Sequence, residues 1–144
     1  MLKVKELIET KGSELYFVSA NTSMRAAIDL MSERKIGALP VLNETGLVGI
    51  ISERDMINFL AEEGEAILEM QVESYMTHNV VTVPADTSLE ECMQIMIDRK
   101  FRHLLVTENQ KLLGIVSMRD MVSTLLKDRD ALIQDLEKYI TGSR

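Results

Sequence analysis

Gly49-Ile50-Ile51-Ser52-Glu53-Arg54-Asp55-Met56 returns 65 residues later as Gly114-Ile115-Val116-Ser117-Met118-Arg119-Asp120-Met121. In each stretch an apolar strand runs into a Ser-x-x-Asp signature that opens a helix. The serine hydroxyl can accept from an otherwise unpaired backbone N–H, and the aspartate complements the positive end of the helix dipole. The same corner, with a hydroxyl, a carboxylate and the amides of a helix start, also suits a phosphate or the two hydroxyls of a ribose. Taken alone, the residues leave both readings open.

Outward from this corner, residues 21–60 align without a gap on 86–125, with 15 identities in 40 positions. Thr22-Ser23 and Thr87-Ser88 are N-cap signals. Met24, Ala27, Ile28 and Met31 follow at i, i+3, i+4 and i+7, as do Leu89, Cys92, Met93 and Met96, so each helix has one apolar stripe. Strands are expected over 38–42 and 47–51 and again over 103–107 and 112–116, with a leading strand over 15–18 or 80–83. One copy therefore reads β-α-β-β-α, and a domain of about 60 residues is marginal alone. The expected fold is α+β, with two such repeats packed face to face about a pseudo-two-fold axis. Residues 1–64 form the first repeat, 65–71 a linker of helical character, and 72–127 the second. Residues 128–144 extend the last helix as a tail bearing Leu132, Ile133, Leu136 and Ile140.

Sixteen Lys and Arg against 23 Asp and Glu give a net charge of −7, which lacks the cationic field that binding nucleic acid requires. No apolar run approaches the roughly 18 residues of a membrane span, and the start is unlike a secretory leader, so a cytoplasmic protein is expected. Cys92 is the single cysteine and has no disulfide partner in the chain; with only two His, a zinc site is not expected. No nucleophile and base recur together, so no catalytic activity is expected.

Leu39-Pro40-Val41 precedes the first corner, and Val72 to Thr77, with Tyr75-Met76-Thr77, opens the second repeat. With these segments the duplicated pattern resembles a pair of cystathionine beta-synthase (CBS) domains, the Bateman module, over nearly the whole chain. Leu104-Leu105-Val106 departs from the pattern by lacking the proline. The resemblance implies a regulatory, non-catalytic module whose clefts bind adenosine-containing ligands: AMP foremost, or ADP, ATP, NAD or S-adenosylmethionine. It assigns Asp55 and Asp120 to the ribose, and Ser52 and Ser117 to the phosphate with Arg54 and Arg119 beside them. Thr77, Asn79 and Val81, with Tyr16 from the first copy, fall on the adenine side. In the related gamma subunits of AMP-activated kinase, basic residues just before the LPV-like strand reach the phosphates; Arg102 and His103 hold that place here.

Gly37 and Ala38 stand opposite Arg102 and His103 in otherwise matched repeats, so two unequal clefts are expected, the basic one being the tighter phosphate site. Sequence does not decide whether Asp55 or Asp120 serves it. The family habit of stacking tandem pairs, together with the apolar tail, implies a homodimer that signals in trans to a protein partner. The alternative is an adaptor with empty clefts that docks through the helix expected over 118–140.

Overall fold

Ser23 and Ser88 cap their helices, accepting from the backbone N–H of Ala26 and Glu91 at 3.1 Å each. The computed structural model describes residues 2–12 and 14–141. Helix α1 (Val4–Lys11) leads into β1 (Val18–Ser19), α2 (Met24–Arg34), β2 (Ala38–Asn43), β3 (Gly46–Ser52) and α3 (Glu53–Glu63). Two 3-10 turns, Glu65–Glu69 and Val72–Ser74, connect to β4 (Thr82–Pro84), α4 (Leu89–Arg99), β5 (His103–Glu108), β6 (Lys111–Ser117) and the long α5 (Met118–Thr141). Each repeat builds a three-stranded sheet, β1-β2-β3 or β4-β5-β6, in which the first pair is parallel and the second antiparallel.

The leading strands lie later than the sequence spacing predicts, at 18–19 and 82–84 in place of 15–18 and 80–83. Residues 77–81 are used instead as the wall of a cleft, described below. The first strand is also the shorter. Thr82 pairs with Leu105, but Leu105 is matched in the first repeat by Pro40, which has no N–H to donate, and β1 begins only at the Val18–Val41 pair.

The two cores exchange segments. Val4 and Leu7 of α1 are buried with Leu89, Cys92, Met96, Leu104, Val116 and Met121 in the second repeat. Backbone bonds hold α1 there, Val4 N–H donating to Thr87 O at 2.8 Å and Lys5 N–H to Ala85 O at 3.1 Å. Conversely Ile67, Val72 and Met76 complete the first core around Met24, Met31, Leu39, Ile51 and Met56. Val72 N–H donates to Thr22 O at 2.8 Å. The division at residues 64 to 72 that the repeat pattern suggests is therefore not the division of the packing, because each β-α-β-β-α unit leaves apolar surface that the segment ahead of the other repeat covers.

Leu7 is 3% exposed. Leu7→Ala is expected to lower stability by about 2–5 kcal/mol through transfer and cavity terms, measured as a fall in the urea midpoint. A loss under 1 kcal/mol would mean that α1 is not part of the second core.

Candidate functional site

Ser52 ends β3 and caps α3: its hydroxyl accepts from Asp55 N–H at 3.1 Å, and Glu53 N–H donates to Gly37 O at 2.9 Å. The corner is thereby tied to the loop ahead of β2. Across from it, α4 ends on Lys100 in the left-handed region (φ 58), and Phe101 N–H returns to Met96 O at 2.9 Å. That tight exit delivers residues 100–103 to the corner. A third wall is docked by a reciprocal backbone bridge: Ile50 N–H donates to Thr77 O at 3.1 Å and Thr77 N–H to Ile50 O at 2.9 Å. Gly49 allows this approach, since a Cβ there would lie 2.4 Å from Met76 Sδ and 2.9 Å from Thr77 O.

The result is an open cleft of about 480 Å³. Of the residues singled out in the sequence, it gathers Ser52, Arg54, Asp55, Thr77, Asn79, Val81, Arg102 and His103. Asp55, not Asp120, therefore shares a cleft with Arg102 and His103. Gly37, Ile50, Glu53, Asn58, Lys100 and Phe101 also line it. Asn58 follows Arg54 by one helical turn, and Lys100 belongs to the basic run 99–103, so both had a readable signal. Phe101 and the opposing Gly37 had none, because only the folded arrangement brings these two loops together.

Among the described residues, no hydrogen bond or ion pair engages the side chains of Asp55, Arg54, Lys100 or Arg102. A carboxylate and three cations thus converge on one cleft of an acidic chain with their bonding capacity unused. His103 lies at the floor, where a Cβ on Gly37 would come within 3.4 Å of its ring. Burial, with Lys11 and Arg102 nearby, holds its imidazole below the ordinary 6.5 despite the opposing charges of Asp120 and Glu53.

The second corner is closed. Ser117 accepts from Asp120 N–H at 3.0 Å, and Ser117 N–H donates back to Asp120 Oδ2 at 2.9 Å, completing a reciprocal cap. The same oxygen accepts from Lys11 Nζ at 2.8 Å. Burial would raise this carboxyl, but the Lys11 ammonium and the two bonds with Ser117 outweigh it and hold Asp120 below its usual value. Tyr16 is taken up elsewhere: its hydroxyl donates to Glu14, and the Arg34 guanidinium sits 5.0 Å from its ring centre. Ser117, Arg119, Asp120 and Tyr16 therefore stand outside the open cleft. Cys92 is buried in the α4 stripe, where burial and the neighbouring Glu91 and Glu90 push its thiol up to about 11.

Fold and cleft together define a duplicated sheet-and-helix module with an open polar cleft where its repeats meet. The CBS-domain family model matches residues 4–62 and 72–127, and the chain belongs to that family. The crystal structure of a CBS-domain-containing protein from Agrobacterium tumefaciens is similar, with 35% identity and a TM-score of 0.81, over 85% of this chain and 98% of that one. The CBS domain pair of protein MJ0100, solved in complex with 5′-methylthioadenosine and S-adenosyl-L-methionine, is 26% identical with a TM-score of 0.75, over 87% of this chain and 99% of that one. CBSX2, solved in complex with AMP, shares the fold at 24% identity and a TM-score of 0.76, over 90% of this chain and 99% of that one.

The two corner glycines differ in what they face. Gly49→Ala drives a Cβ into Met76 and the Thr77 carbonyl, whereas the nearest atoms to a Cβ on Gly114 belong to the flexible Ile8 side chain, at 3.2 Å and beyond. Denaturation is expected to show Gly49→Ala losing about 1–3 kcal/mol and Gly114→Ala clearly less. Equal losses would contradict the docked wall at Thr77.

Proposed function

We propose that the chain is a cytoplasmic nucleotide sensor that binds an adenosine ligand, AMP foremost, in the Asp55 cleft and signals its occupancy in trans to a protein partner. The observation that carries this reading is the unpaired Asp55 carboxylate sharing a cleft with Arg54, Lys100 and Arg102. A carboxylate accepts from both hydroxyls of a ribose, while guanidinium and ammonium groups bind a phosphate. Ser52 adds a hydroxyl at the positive end of α3. Ile50, Val80 and Val81 supply the apolar surface for the base, with Thr77 and Asn79 at its polar edge. The volume lies within the range of ordinary small-molecule sites. The adenosine ligands of MJ0100 and CBSX2, which share this fold, support the ligand class.

The make-up of the cleft supports signalling in trans. Its walls come from α3 of the first repeat and the α4–β5 loop of the second, so a bound nucleotide ties the repeats together and biases their helix faces. Ile57 on α3 and Val122 on α5 occupy equivalent positions and are 64% and 41% exposed, and Ile97 and Leu126 are exposed with them. These positions, with the exposed Leu132, Ile133, Leu136 and Ile140 of the tail, fit a second copy of the chain. No helix among the described residues is long and apolar enough to cross a membrane.

Three measurements follow. Calorimetry with AMP should show Asp55→Ala losing roughly 1.5–3 kcal/mol of binding, the value of a hydrogen bond to a charged acceptor, with Asp120→Ala close to wild type. Wild type binding neither AMP nor S-adenosylmethionine would leave the adaptor reading in its place. Sedimentation should give twice the 16.3 kDa chain mass; a monomer at tens of micromolar would remove the homodimer. The third is the effect of pH. His103 titrates below 6.5 when folded, so the free protein loses stability as pH falls from about 6.5 toward that lower value. A bound phosphate favours the imidazolium, so binding takes up a proton. Because a phosphate monoester also titrates near pH 6, the readout is the ratio of wild-type to His103→Gln affinity, which should grow as pH falls from 7.5 to 6; a flat ratio would exclude His103 from the phosphate site.

A further inference from the structure

Lys11 stands where the other repeat has Met76, and Gly12 where it has Thr77. At the open corner, Thr77 N–H occupies Ile50 O, which docks the wall, while the Asp55 carboxylate is left without a partner. At the closed corner one ammonium does both jobs. Lys11 Nζ donates to Ile115 O, the counterpart of Ile50 O, at 3.1 Å, and to Asp120 Oδ2, the counterpart of the Asp55 carboxylate, at 2.8 Å. Among the described residues, no backbone bridge joins Gly12 to Ile115. A hollow of about 700 Å³ lies beside it, lined by Lys11 itself with Gly12, Glu14, Leu15, Gly114 and Ile115, but neither Ser117 nor Asp120 lines it. Gly37 and Ala38 replace Arg102 and His103 at the phosphate end.

We infer that Lys11 sets the number of nucleotides this chain holds: its ammonium takes the place of the ribose hydroxyls on Asp120, so the carboxylate of the second corner is occupied by the chain itself. The inference rests on the reading of the Asp55 cleft as an adenosine site. Lys11 is not chiefly a stabilising residue. Its side chain is 44% exposed and that of Asp120 26% exposed, and ion pairs so exposed contribute little to folding. What the lysine changes is occupancy. Asp120 Oδ2 already receives the Ser117 N–H and the ammonium, so a ribose arriving there must displace a charged donor, and among the described residues no docked wall lies behind it.

Exchanging Lys11 for the residue its counterpart carries removes both contacts together. Lys11→Met frees both Asp120 and Ile115 O. AMP bound per chain is counted by calorimetry and equilibrium dialysis for wild type, Lys11→Met and Lys11→Met/Asp120→Asn. Lys11→Ala serves as a second single variant should the methionine disturb α1. The expected counts are one, two and one. Two AMP on wild type, or one on wild type and on both single variants, overturns the inference and leaves the Asp55 reading standing. No AMP on wild type but one on Lys11→Met, lost again with Asp120→Asn, upholds the inference and removes the Asp55 reading. No binding by any of the proteins overturns both.

Discussion

A serine hydroxyl accepting the N–H of the aspartate three residues on, at 3.1 Å for Ser52 and 3.0 Å for Ser117, turns strand into helix twice in this chain. Everything that distinguishes the two halves depends on where that aspartate's carboxylate then goes. In the first repeat it has no partner among the described residues and shares an open cleft with basic side chains. In the second it folds back on the Ser117 N–H and is taken by Lys11. The cap alone accounts for the repeated motif as a folding device; the difference between its two copies is what turns one of them into a candidate site.

The exchange of segments between the cores makes that difference possible. Because α1 covers the second core and the Val72–Met76 stretch covers the first, the chain leaving each segment passes the opposite corner. After Met76 it docks on β3 and builds a wall; after Lys11 no such bridge is made among the described residues, and the lysine reaches to Ile115 O and Asp120 instead. The open cleft consequently has walls from both repeats. A ligand that binds only the folded pair stabilises it as a unit by mass action, about 2.7 kcal/mol at a hundred times its dissociation constant. His103 lies between the two corners and feels the charges of both Lys11 and Glu53, so the closed corner bears electrostatically on the open one.

Much of this was legible in the sequence. The 65-residue offset gives the duplication, the serine caps and the strand pairs, because local periodicity and capping chemistry act within a few residues. The mismatch of Gly37-Ala38 with Arg102-His103 also marks which cleft is basic. Three features were not legible. The shortening of β1 depends on Pro40 facing that strand, which requires knowing which side of β2 donates. The placing of Asp55 with Arg102 depends on how the two repeats meet, which spacing within one repeat does not encode. Lys11 carried no signal as a short-range charge in an amphipathic helix; its partner Asp120 is 109 residues away.

The central claim is that this family member holds its nucleotide at one corner and closes the other with its own side chain. An amide NMR titration of the intact chain with AMP tests it most directly, since both corners report in one experiment. Shifts at residues 52–58, 77–81 and 100–103, with 12–16 and 117–120 unmoved apart from small effects relayed through His103, are the expected result. Shifts of equal size at both corners, saturating together, would contradict it.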